Sequence, residues 1–107
     1  MPRYVMGEFE RLVLLTLIRL KDQAYGVAIR QHLSSALGRD VAIGAVYTTL
    51  QRLEDKGYVS SSLGEPTAAR GGRAKRFFHI EAPGADALTR SERQSLALSL
   101  LRPSTAR

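Results

Sequence analysis

A chain of 107 residues with 44% apolar content has room for one hydrophobic core and no second independent domain. Sixteen Lys and Arg against ten Asp and Glu leave a net charge of +6, which suits an anionic partner without identifying one. The lack of cysteine excludes disulfides and thiolate metal sites and is compatible with a reducing cytosol.

Met1 to Glu8 has no signal-peptide pattern, and the apolar run from Leu12 to Leu20 is interrupted by Thr16 and Arg19 and too short to span a bilayer. A soluble, cytoplasmic protein with no membrane partner is expected. Glu8 to Leu20 reads as a first helix that is apolar almost all round, through Phe9, Leu12, Leu15, Ile18 and their neighbours. Such a helix is buried on more than one side, and in so small a domain the second side points to another subunit. Lys21–Ala24 is a turn. A second helix from about Tyr25 to Leu37 turns Ile29, Leu33, Ala36 and Leu37 inward and ends at Gly38-Arg39-Asp40. Val41-Ala42 is expected as a very short strand.

The third helix begins at Ile43. Ile43, Val46, Tyr47, Leu50 and Leu53 fall on one face, and Lys56-Gly57 provides its C-terminal stop. Ala45, Thr48 and Arg52 lie opposite that stripe, with Gly44, Thr49, Gln51, Asp55 and Lys56 on the flanks. Small residues let a backbone approach the floor of a major groove about 12 Å wide. The threonines can serve phosphate or a thymine methyl, and Gln51 and Arg52 can reach base edges or backbone. Tyr47 sits at the edge of the stripe, where its ring packs inward and its hydroxyl reaches outward.

Tyr58–Leu63 and Lys75–Ile80 then read as the two strands of a hairpin joined by a long loop. Arg70, Arg73, Lys75 and Arg76 crowd around Gly71-Gly72 with no acidic neighbour. A groove-sized helix followed by a basic hairpin is what a winged helix offers to double-stranded DNA: helix in the major groove, wing on flanking phosphates. Along the return strand Lys75, Phe77 and His79 share one face and Arg76, Phe78 and Ile80 the other, so Lys75 and Arg76 are not equivalent. Glu81-Ala82-Pro83-Gly84 breaks the strand. A last helix, roughly Ala85 to Leu101, carries Leu88, Leu96, Leu98, Leu100 and Leu101 before Pro103.

Catalytic chemistry finds no support. His32 and His79 are isolated, no carboxylate pair is set for acid–base work, and Gly71-Gly72 lacks the strand and helix of a phosphate-binding loop. No enzyme activity, cofactor or metal is expected. RNA binding lacks an exposed aromatic platform, since Phe77 and Phe78 sit in a core strand. A protein-interaction module using the wing charge on an acidic partner is the alternative to DNA binding.

The chain resembles the PadR family of bacterial winged-helix transcription regulators. The match runs from Gly7-Glu8-Phe9-Glu10 through Ala24-Tyr25-Gly26-Val27-Ala28-Ile29 and Gly44-Ala45-Val46-Tyr47-Thr48-Thr49-Leu50-Gln51-Arg52-Leu53-Glu54. It continues with Lys56-Gly57-Tyr58-Val59 and Gly71-Gly72-Arg73-Ala74-Lys75-Arg76-Phe77-Phe78, covering about Gly7 to Leu88. The resemblance implies a mainly α fold with a small β-hairpin wing: a winged helix-turn-helix over residues 1–82 and a C-terminal dimerisation helix and tail over 83–107. It implies a homodimeric repressor paired through the first and last helices, in which the tyrosine matching Tyr47 contacts DNA. Two departures stand out. Ala42 replaces the usual Ser or Thr helix cap, a change that typically loses about 1 kcal/mol, so Asp40 or a bound phosphate would have to serve. The chain also ends soon after one C-terminal helix, which leaves any small-molecule effector pocket at the dimer interface or absent.

Overall fold

The computed structural model describes residues 6–64 and 74–101. The wing-loop arginines Arg70 and Arg73, and Pro103, lie outside the described residues. The elements follow in the order α1 (Glu8–Leu20), a 3-10 turn (Lys21–Gln23), α2 (Gly26–Leu37), α3 (Ile43–Asp55), β1 (Val59–Leu63), β2 (Arg76–Ile80) and α4 (Ala82–Ser99).

The core forms where α1, α2 and α3 meet. Leu14, Ile29, Leu33, Leu50 and Leu53 are its large, fully buried side chains, and Val59, Phe78 and Leu88 close it from the hairpin and α4. On α1 the stripe Val13, Leu14, Thr16 and Leu17 is buried, and the Thr16 hydroxyl is satisfied by donating to the Leu12 carbonyl at 2.8 Å. Leu15 and Ile18, on the other side of the same helix, remain 36% and 48% exposed. An all-round apolar helix therefore spends one face on this core and leaves another uncovered.

Two expected boundaries shift. Val41-Ala42 is not a strand: the Val41 N–H donates to the Ser34 hydroxyl at 3.0 Å, leaving no ladder for it to join. The short third β contact is made instead by Ala24-Tyr25, where the Phe78 N–H donates to the Ala24 carbonyl at 2.8 Å and Tyr25 forms a bridge with Phe77. The second shift is the start of α4, expected at about Ala85 and found at Ala82: β2 does end at Ile80, and Pro83 and Gly84 beyond it already belong to the helix. Proline lacks an N–H that the first helical turn does not use, so it starts this helix. Gly84 is required there because a side chain would collide with the Tyr58 carbonyl.

The C-terminus of α3 closes with the Tyr58 N–H on the Leu53 carbonyl and the Gly57 N–H on the Glu54 carbonyl, both at 2.9 Å. Lys56 is the capping residue and Gly57 follows it at φ 77°, the left-handed geometry this stop needs. The stop aims the chain into β1, which pairs antiparallel with β2 in a register from Val59 opposite Ile80 to Leu63 opposite Arg76.

Two ion-paired contacts brace α1. Lys56 meets Glu10 at 3.0 Å, and Arg11 spans Glu8 and Glu92 at 2.7 Å each. Hydrogen bonds to Glu8 and then Glu92 raise the pKa of Arg11 above its ordinary value. Beyond Glu92 the helix leaves the body: Leu96, Leu98, Leu100 and Leu101 are 66%, 63%, 79% and 76% exposed. Among the described residues no helix is long and apolar enough to cross a membrane.

Candidate nucleic-acid interface

The inward stripe of α3 is Val46, Thr49, Leu50 and Leu53, spaced i, i+3, i+4 and i+7. This corrects the reading of Thr49 as a DNA-facing residue. It is 6% exposed and belongs to the core, because its position on the helix outweighs the polarity of its side chain. Tyr47, counted with the apolar stripe, lies on its flank and is 47% exposed. Gly44, Ala45, Thr48 and Arg52 are exposed as the helical spacing requires.

Gln51 is also exposed, and its amide Nε2 donates to Asp55 Oδ1 at 3.0 Å one turn on. That contact fixes which way the amide points and leaves its oxygen as an acceptor. The i, i+4 spacing of Gln51 and Asp55 is the sequence signal that distinguishes it from a freely rotating surface glutamine.

At the opposite end, α3 begins at Ala42 with no side-chain cap, and Asp40 does not take up that role. The Ala45 N–H closes on the Ala42 carbonyl at 3.1 Å, so the helix start, at the positive end of the helix dipole, is without a capping side chain.

Lys75, just before β2, and Arg76, its first residue, meet different partners. The Lys75 ammonium stands 4.3 Å above the centre of the Tyr25 ring. Tyr25 in turn meets Phe77 edge-on, with ring centres 5.6 Å apart and planes at 75°. Arg76 instead donates from Nη1 to the Ser61 hydroxyl at 3.0 Å, across the hairpin. Between the hairpin and α3 runs a groove of about 980 Å³ walled by Tyr47, Gln51, Leu63, Lys75 and Arg76 and floored by Leu50 and Phe78. The structure thus brings Tyr47 and Gln51, on one flank of α3, and two wing cations to one groove, while Gly44, Ala45, Thr48 and Arg52 do not line it. Arg70 and Arg73 are not placed by it.

His79 contacts the Ser62 hydroxyl at 3.2 Å on the exposed hairpin surface, and its register partner Ser60 donates to the Glu81 carboxylate. Among the described residues no group of His, Asp and Glu could hold a metal.

The family described as the transcriptional regulator PadR-like family matches residues 14–90. No curated protein sequence matches the chain. Among solved structures it is similar to a PadR-like transcription factor from Bacteroides fragilis. The two are 27% identical with a TM-score of 0.74, over 87% of this chain and 84% of that one. A PadR family regulator from Eggerthella lenta gives 26% identity and a TM-score of 0.68, over 86% and 80% of the two chains. One from Clostridium difficile shares the fold at 24% identity and a TM-score of 0.72, over 89% and 94%. With the family match running from the middle of α1 into α4, and with a helical body, a two-stranded wing and a C-terminal helix in the family's order, this chain belongs to the PadR-like transcriptional regulators and is not an enzyme.

Proposed function

We propose that this regulator is a sequence-specific repressor that binds an inverted-repeat operator as a homodimer. The observation that supports the reading is the common groove: Tyr47 and Gln51, on the flank of α3 next to its exposed face, and the cations Lys75 and Arg76 border the same space. In the proposed complex α3 enters the major groove, where Thr48, Gln51 and Arg52 meet base edges. Gly44 and Ala45 allow close approach of the helix start, and Tyr47 offers its hydroxyl to a phosphate. Lys75, Arg76, Arg70 and Arg73 serve flanking phosphates, which position the protein without specifying sequence. Residues up to 82 read DNA in this scheme, and 83–107 supply the pairing helix and tail.

Pairing is proposed from the uncovered surface. Leu15 and Ile18 of α1 and the four leucines at the end of α4 are too much exposed apolar surface for a small solitary domain. A two-fold pair would set two recognition helices about 34–36 Å apart, which demands an inverted repeat. A protein seated on promoter DNA excludes polymerase, hence repression.

Selection of bound duplexes from a random pool tests the reading. The expected result is an inverted repeat with half-sites one helical turn apart, bound about equally poorly at every sequence when Arg73→Ala and Arg76→Ala are combined. Removing one phosphate contact should reduce the log–log salt slope by about 0.9. Recovery of no enriched sequence, or an unchanged slope in the double variant, would count against it.

A further inference from the structure

Arg76 is held by more than its strand. The Ser61 hydroxyl that accepts from Arg76 Nη1 at 3.0 Å itself donates to Glu54 Oε2 at 2.9 Å. The direction is fixed by chemistry: a guanidinium can only donate and a carboxylate can only accept, so the single serine proton has to go to Glu54. Ser61 and Glu54 are both half-buried, whereas Arg76 is exposed at the mouth of the groove. The three residues come from β1, α3 and β2, and together they form a side-chain link between the recognition helix and the base of the wing.

We infer that Ser61 and Glu54 act as positioning residues that preset Arg76 for a phosphate of bound DNA. The inference rests on the DNA-binding reading and adds to it a role for two residues that touch no DNA. One of the five guanidinium donors is used by Ser61, and four remain to be presented outward. The intervening hydroxyl matters. A direct ion pair with Glu54 would neutralise the arginine and would have to break before phosphate could bind. A serine relay holds the fork in place while leaving its charge available. Presetting removes the loss of side-chain freedom that binding would otherwise impose, so the relay should appear as affinity. It should not appear as an additional phosphate contact, which separates it from the role of Arg76 itself.

The test is a double-mutant cycle on the full chain, read by anisotropy of a labelled 30-base-pair duplex that the wild type has enriched from a random pool. Ser61→Ala is expected to weaken binding about tenfold with the salt slope unchanged. Arg76→Ala is expected to weaken it and to lower the slope by about 0.9 for each phosphate that it no longer meets. In the Arg76→Ala background Ser61→Ala should have no further effect. Ser61→Thr, which keeps the hydroxyl and suits a strand, should bind like wild type. Glu54→Ala should reduce the coupling between Ser61 and Arg76. Equal losses from Ser61→Ala in both backgrounds would make the serine merely structural and overturn the inference. Tighter binding by Ser61→Ala would show that the contact withholds Arg76, and unchanged coupling in Glu54→Ala would break the relay. A wild type that enriches no duplex would overturn the DNA reading along with it, whereas a wild type that binds with Ser61 and Arg76 uncoupled overturns the relay alone.

Discussion

The phenol end of Tyr47 rests against the bare backbone of Gly26. A methyl group at position 26 would overlap the phenol oxygen and come within 2.7 Å of Cε1. The first residue of α2 therefore leaves the room in which the one aromatic side chain of α3, 47% exposed, rests.

Gly26→Ala should accordingly push the ring out and disturb the contact between α2 and α3. Overpacking of this kind costs about 1–3 kcal/mol, and DNA binding should weaken with it. Tyr47→Ala in the same chain removes the obstacle, so the double variant should melt at a higher temperature than Gly26→Ala alone. Thermal unfolding of the four proteins checks this, and a double variant no more stable than the single one would contradict the packing described.

On α3, Arg52→Ala should alter the sequence that the protein selects, because a bidentate contact to a base contributes about 1–3 kcal/mol of discrimination. Tyr47→Phe should weaken binding and leave the selected sequence as it was, since in the proposed complex it loses only a hydroxyl offered to a phosphate. Binding-site selection with both variants separates the two roles. An identical consensus for Arg52→Ala and wild type would remove Arg52 from base reading.

Thr49 gives a third expectation, and it runs against the residue's polarity. At 6% exposure it has no route to DNA, so Thr49→Val should keep the selected consensus. Thr49→Arg, harmless on a DNA-facing surface, should place a charge among Leu50, Leu53 and Val46 and destabilise the fold by more than about 3 kcal/mol. Denaturant titration measures the loss. An arginine variant as stable as wild type, with tighter binding, would return Thr49 to the interface.

That residue also shows where the sequence was legible and where it was not. Helical spacing located α3, its exposed Ala45, Thr48 and Arg52, and the hairpin with its unlike neighbours Lys75 and Arg76. It misplaced Thr49 because a stripe centred by residue type took in Tyr47, a large ring that a flank can hold, and left out a small threonine that the core accommodates. The β contact at Tyr25 was invisible because it depends on a carbonyl, that of Ala24, and not on any side-chain pattern. Pro83 and Gly84 end the strand as a local reading says, but a local reading starts the helix after them. Only the approach of α4 to the Tyr58 carbonyl shows why a helix starts with them. The relay through Ser61 joins residues from three elements and has no local spacing to betray it.

Leu98→Asp with Leu101→Asp tests pairing without touching the core, since both side chains are mostly exposed in the single chain. The double variant should keep its helical content, sediment as a monomer at micromolar concentration, and lose most of its affinity for an inverted repeat. A wild type that is itself monomeric at that concentration, with full affinity, would sink the homodimer.

The leucines at the end of α4 bear on dosage as much as on assembly. For a regulator whose operator-competent form is a pair, the amount of that form at low concentration rises with the square of the amount of chain made. A doubling of synthesis would then raise the paired form about fourfold, by mass action alone. Such a gene would pass from open to closed over a narrow range of regulator supply, with no signal molecule required. The sharpness of the response would be set by how strongly a few exposed apolar side chains attract their copies.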